Sequence, residues 1–238
     1  MRETPRNIRE EAAAVGAPTL IGYVYENLRR DIVSGIYAQG EKLRVEPIRA
    51  GYGVAASTMR EALARLVSDG LVIALGQRGF RVAPMSRADL RDLTRLRILL
   101  ESEAVVESMR RGDIAWEAGA VAAFHTLTRA DERVSSGRPE DLTDWERHNQ
   151  AFHHALAAAC GSERLLALLE TLYRQHERYR MWSLAAAAEA TGGTPRDLHG
   201  EHEALLKAVL GRDAERARDL LAAHIRNTAD ALERRLTR

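Results

Sequence analysis

Met59, Ala62, Leu63 and Leu66 recur at i, i+3, i+4 and i+7 within residues 54–66, the spacing of one apolar stripe along a helix. Ser57, Arg60, Glu61 and Ala64 fall on the opposite face. The spacing predicts a short helix packed on one side and free on the other. Gly53 and Val54 stand before it, and residues 47–52 can form a second short helix. Two short helices about a glycine turn, the second opening with small hydroxyl residues and an arginine, predict a helix-turn-helix whose second member enters a DNA major groove.

The neighbouring stretches fit a small domain around that pair. Val24, Leu28 and Ile32 repeat every four residues, with Gly35 as a C-terminal stop, which predicts a first helix. Pro47 sits where a first helical turn tolerates it. Residues 71–75 and 80–82 are two β-prone runs around Gly76-Gln77-Arg78-Gly79, a hairpin with Arg78 at its tip. Such hairpins are common folding units; directly after a helix-turn-helix, a basic tip reads as a wing lying along a groove or backbone. Residues 17–84 hold nine Lys/Arg against six Asp/Glu, and residues 85–238 hold 23 against 25, so positive charge is weighted toward the segment that would meet phosphate. Residues 1–16 carry three Arg, three Glu and several Ala without an apolar period and are expected to be a flexible arm.

Residues 85–238 read as helices alone. Ser86 and Asp89 resemble an N-cap and its third position, followed by Leu90, Leu93, Leu96, Arg97 and Leu100 at helical spacing. Further helices are predicted at roughly 113–134, 140–159, 162–189, 195–210 and 213–236, parted by turns that include 136–139 and 192–195. The fold class expected is mainly α: a winged helix-turn-helix of three helices plus a β-hairpin, then an antiparallel bundle of about six helices. No apolar run approaches a membrane span, and a cytoplasmic protein is expected. The single cysteine, Cys160, excludes an intramolecular disulfide and a cysteine zinc cluster; it reads as a small buried filler.

Leu28, Ile32, Gly35, Gly40-Glu41-Lys42-Leu43, Gly53-Val54, Arg60-Glu61-Ala62-Leu63, Leu66, Asp69-Gly70-Leu71 and Arg78-Gly79-Phe80-Arg81-Val82 together resemble the winged-helix domain of GntR-family transcriptional regulators. The resemblance implies groove contacts from Ala55, Ala56, Ser57, Thr58, Arg60, Gln77, Arg78 and Gly79. Many relatives carry Ser or Thr followed by Arg where this chain has Ala55-Ala56, so one base-reading guanidinium is missing and the operator should differ. Glu46 stands where an arginine often serves, leaving Arg44 or Arg49 to substitute.

A second set lies in the helical half. Asn149 and His153 are four apart and share a helix face with Trp145, Phe152 and Leu156 nearby; His202 lies among Leu198, Leu205, Leu206 and Val209, and His224 among Ala217, Leu220, Leu221 and Thr228. Taken singly, each histidine is a hydrogen-bonded core residue more often than a ligand. Together, three imidazoles and an amide oxygen on the apolar sides of three helices suit a divalent metal: zinc first, with nickel or manganese possible. Phe152-His153 with Leu156, Glu201-His202 and His224-Ile225 resemble the FCD effector domain of the FadR-type branch of GntR regulators. In many members the ligands are an Asp four residues before a His plus two further His, which implies Asn149, His153, His202 and His224 here. Asn in place of Asp supplies a neutral oxygen and leaves the ion's charge uncompensated. A carboxylate or dicarboxylate would complete its coordination, clamped at the far end by Arg97 or, second, Arg180; the alternative for either arginine is a surface or interface salt bridge. Residues 44–47 and 85–90 further look like the carbon-starvation-induced regulators, which implies a small aliphatic dicarboxylate such as glutarate.

The expected function is a homodimeric, ligand-responsive repressor on a palindromic operator. One alternative is a metal-dependent hydrolase with an appended DNA-binding domain, since three histidines with an open position are also a catalytic arrangement; no His-Glu-x-x-His spacing supplies its base. The other is a constitutive DNA-binding protein whose bundle only dimerises.

Overall fold

The computed structural model describes residues 8–14, 16–134, 138–188 and 196–236. It divides into two compact units, Met1–Met85 and Ser86–Arg238. The turns expected over 136–139 and 192–195 lie mostly outside the described residues.

The first unit is built on helices α1 (Ile8–Ala14), α2 (Leu20–Val33), α3 (Val45–Tyr52) and α4 (Ala56–Ser68) with strands β1 (Lys42–Leu43), β2 (Val72–Ala74) and β3 (Phe80–Val82). Thr19 caps α2 by accepting a hydrogen bond from the Gly22 N–H, which satisfies one of the orphan donors of the first turn. Val24, Leu28 and Ile32 face inward and meet the α4 stripe, where Met59, Ala62, Leu63 and Leu66 are all fully buried. Each large apolar side chain so buried contributes about 1.5–3 kcal/mol. Gly53 ends α3 at φ 62°, a left-handed conformation that glycine adopts without a Cβ penalty. Two tyrosines brace the helices: Tyr25 Oη donates to Asp69 and Tyr52 Oη to Asp31, both at 2.5 Å.

Two features differ from expectation. The flexible arm expected over residues 1–16 is helical over Ile8–Ala14, where Ile8 and Ala12 are buried against the same core; one isoleucine and one alanine four apart are too faint a stripe to register as a period. The wing is also a three-stranded sheet rather than a hairpin alone. Its order is β1-β3-β2, antiparallel, with Lys42 opposite Arg81 and Leu43 opposite Phe80. Two residues are too few to show alternation, so β1 leaves no signal of its own. The wing tip closes through a 3-10 turn, Gly76–Arg78.

The second unit comprises α5 (Arg87–Arg111), α6 (Ile114–Val134), α7 (Pro139–Ala157), α8 (Glu163–Ala188), α9 (Leu198–Leu210) and α10 (Ala214–Leu236). Ser86 caps α5, its hydroxyl accepting from the Asp89 N–H at 3.1 Å. Helix α5 packs against α7, α8 and α10, while α6 packs against α7 and α9. Leu127, Phe152, Leu156, Leu205, Val209, Leu221 and Ile225 form its fully buried core. Cys160 is buried and free, beside Leu169 and Tyr173. Leu96, expected with the inward residues, is instead 43% exposed; it lies off the Leu90, Leu93, Arg97 line. Among the described residues no helix is long and apolar enough to cross a membrane.

Candidate DNA-reading surface and candidate metal centre

The start of α4 is open. Ala55 takes the N-cap position in extended conformation and supplies no side-chain acceptor, so the first-turn N–H groups keep their polarity for an outside anion. Ser57, Arg60, Glu61 and Ala64 are exposed, Ala56 and Thr58 half-buried, and Ala55 exposed. Arg60 makes no ion pair among the described residues. Arg78 is exposed at the wing tip, and Gly79 behind it holds φ 92°; the Gln77 side chain lies outside what is described. Of the two substitute cations, Arg49 is tied to Glu46 at 2.6 Å, whereas Arg44 is exposed at the N-cap of α3. Arg44 is therefore the freer of the two to meet DNA.

In the bundle, His153 of α7, His202 of α9 and His224 of α10 are all buried, and each offers a ligand atom within 4.8 Å of the others. His153 Nδ1 lies 2.6 Å from Glu101 Oε1 and His224 Nδ1 lies 2.8 Å from Glu201 Oε2. A carboxylate only accepts, so both Nδ1 atoms donate, and Nε2 is the nitrogen of each ring left to serve as a ligand atom. Among the described residues His202 has no hydrogen-bond partner on either ring nitrogen, a costly state for a buried polar ring that an ion would relieve.

Burial first, then neighbouring histidines, push His202 well below the usual imidazole range. Burial likewise takes His224 down to about 4, against the pull of Glu201. Both rings are neutral near pH 7, the form that binds metal. Burial would raise Glu101, but Arg97 and His153 overcome it and hold the carboxyl well below its ordinary value. Glu201 is held down to about 2, its desolvation outweighed by His224 and Arg196.

A cavity of about 160 Å³ opens beside these rings, lined by Asn149, His153 and His224 together with Arg97, Arg180 and Arg196. Both arginines singled out in the sequence thus reach one cavity, and both are buried rather than on the surface. Each is already paired inside: Arg97 with Glu101 at 2.9 Å, and Arg180 with Glu146. Arg180 Nη1 also donates to His176 Nδ1 at 2.7 Å, and the buried His176 Nε2–H has no partner among the described residues. Arg97 stacks over Tyr173, its guanidinium carbon 4.8 Å from the ring centroid. Glu101, Glu146, His176 and Arg196 were not visible as site residues in the sequence. Glu101 and His176 left a signal, four residues after Arg97 on α5 and four before Arg180 on α8; Glu146 and Arg196 are brought in by tertiary packing. His125 and His154 are exposed, and His199 pairs with Asp131 at 3.1 Å, away from the cavity lining.

Residues 20–82 match the bacterial regulatory proteins of the gntR family, and residues 92–227 match the FCD domain. The chain belongs to the GntR family, in its branch with an FCD domain. This GntR protein is 42% identical over 210 residues to an uncharacterized HTH-type transcriptional regulator, BphR, of Paraburkholderia xenovorans, covering 88% of this chain and 84% of that one. It is 35% identical over 201 residues to the HTH-type transcriptional repressor GlaR of Escherichia coli, covering 84% and 90%. The solved structure of E. coli McbR/YncC shares its fold with a TM-score of 0.72 at 23% identity, over 92% of this chain and 99% of that one. The GntR chain is a DNA-binding transcriptional regulator, and repressors are among its relatives.

Proposed function

We propose that this regulator is a homodimeric repressor that binds a palindromic operator and loses operator affinity when its FCD domain holds a divalent metal and a small carboxylate or dicarboxylate. The observation that carries the reading is the meeting of His153, His202 and His224 in one buried cluster, with the cavity guanidiniums of Arg97 and Arg180 beside it. The donor set of three imidazoles, with Asn149 available as a neutral oxygen, suits zinc first and nickel or manganese next. The metal would supply a Lewis-acidic centre for an acid's oxygen. Because imidazole and amide ligands bring no negative charge and each cavity arginine faces a glutamate, the ion's two charges are left for an anionic ligand to balance. A monoacid or diacid could place one carboxylate at the ion and turn its remainder toward Arg97 or Arg180.

The dimer is supported by exposed leucines on two helices that pack together: Leu96 and Leu99 on α5, and Leu168 on α8, at 43%, 64% and 55% exposure. Leu96 and Leu99 lie three apart on one face of α5, adjacent exposed apolar positions that a second copy could cover. Hydrolysis draws no support from the site, since the two carboxylates nearest the imidazoles, Glu101 and Glu201, are each held by an arginine and a histidine. Operator mapping by footprinting, with zinc and a panel of carboxylic acids, tests the reading. A symmetrical footprint that retreats only when metal and an acid are both present is expected; a footprint indifferent to every acid would refute the effector role.

A further inference from the structure

Two imidazoles of the cluster are held in the same way. Arg97 Nη2 donates to Glu101 Oε2 at 2.9 Å, and Glu101 Oε1 accepts from His153 Nδ1 at 2.6 Å. Arg196 Nε donates to Glu201 Oε1 at 2.7 Å and Arg196 Nη2 to Oε2, the same oxygen that accepts from His224 Nδ1 at 2.8 Å. An arginine, a glutamate and a histidine in series thus occur twice, from unrelated positions in the chain. The first relay is sealed, with Arg97 and Glu101 side chains 4% and 0% exposed. The second stands at the cavity wall, with Arg196 and Glu201 both 26% exposed. Full burial restricts Glu101 in addition to its two partners; Glu201 has no such enclosure.

We propose that Arg196 is a positioning residue of the candidate metal centre, acting through Glu201 on the His224 ring; the proposal rests on the metal reading above. A half-open glutamate has several rotamers within reach, and holding one costs entropy. The guanidinium fork engages both carboxylate oxygens at once, a bidentate geometry that fixes the carboxylate plane. Oε2 is thereby aimed at His224 Nδ1, which sets the tautomer and the ring orientation with Nε2 facing the cluster. Arg196 is itself anchored on α10, where Nη1 donates to Thr228 Oγ1 at 2.8 Å and Nη2 to the His224 carbonyl at 2.9 Å. The residue that orients the glutamate is therefore fixed to the helix that carries the histidine.

The test uses the full-length chain stripped of metal and titrated with Co²⁺ alone, whose visible absorption reports ligand geometry while a competing chelator reports affinity. Glu201→Gln and Arg196→Gln are each expected to weaken Co²⁺ binding about tenfold and to change the absorption band. The double variant should bind little more weakly than Glu201→Gln, because the aim of the ring is set through that carboxylate, while the other contacts of Arg196 with His224 are to its backbone carbonyl and a longer 3.4 Å approach to Nδ1. Arg196→Lys keeps the charge without the fork and covers the case in which Arg196→Gln fails to fold; it is expected at about threefold weaker. Additive losses in the double variant overturn the proposal, as does parity of both Arg196 variants with wild type. If the wild-type chain takes up no Co²⁺, the metal reading itself falls; if it binds and only the Arg196 expectations fail, that reading stands without this one.

Discussion

The imidazoles of His202 and His224 lie with ring centroids 4.6 Å apart in the bundle interior. They differ in one respect that decides their behaviour: His224 donates to Glu201, while His202 has no partner on either nitrogen among the described residues. Unsatisfied polar atoms at full burial destabilise the metal-free fold by roughly 1–3 kcal/mol. The His202→Leu variant should therefore melt at or above wild type without metal and should gain nothing when zinc is added. Wild type should gain about 2.7 kcal/mol at a hundredfold excess over Kd. Differential scanning calorimetry with zinc and with chelator reads both; a zinc-dependent rise in the variant equal to wild type removes His202 from the site.

Arg60 is exposed on the face of α4 opposite Met59, Ala62, Leu63 and Leu66. Its loss should reach DNA and spare the fold. Arg60→Ala is expected to weaken operator binding by about 1–3 kcal/mol, the value of one good base contact, with the melting temperature nearly unchanged. Fluorescence anisotropy on an operator fragment, paired with a thermal melt, checks this. A large drop in melting temperature would instead assign Arg60 to the fold.

Ile8 is fully buried against the core that holds Val24 and Leu28. Ile8→Ala should cost about 2 kcal/mol of the first unit's stability, the lower end for removing such a side chain from a core. Denaturant unfolding followed by a probe in that unit measures it; a change below about 0.5 kcal/mol, the range of surface substitutions, would make α1 a loosely attached helix.

Leu99 is 64% exposed on α5. If that face meets a second copy, Leu99→Glu places a charge in an apolar contact and should shift the chain from dimer to monomer in sedimentation, with weaker operator binding because two linked half-site contacts become one. An unshifted dimer would move the interface elsewhere.

What was legible in the sequence was whatever repeats along one helix. The α4 stripe, the Val24, Leu28, Ile32 series and the cap at Ser86 are local patterns, and the structure places each as its period requires. His153, His202 and His224 were legible as inward-facing because each sits among apolar residues at helical spacing, and the packing of α7, α9 and α10 then brings them together. The pairing of Arg180 with Glu146 joins residues 34 apart on different helices, and no one-dimensional pattern encodes it. Arg196 follows a glycine- and proline-bearing stretch that reads as a turn, so its fork on Glu201 appears only in three dimensions. Ile8 and β1 failed for a different reason: their segments are too short to establish a period.

The most direct test of the central claim is operator affinity of the full chain in four states: metal-stripped or zinc-loaded, each with and without each acid of a mono- and dicarboxylate panel. The account predicts that affinity falls about tenfold or more, a coupling of roughly 1.4 kcal/mol, in the zinc-loaded state with an acid of the panel and in no other. Equal affinity in all four states for every acid would contradict it and leave a DNA-binding protein whose bundle takes no part in the response.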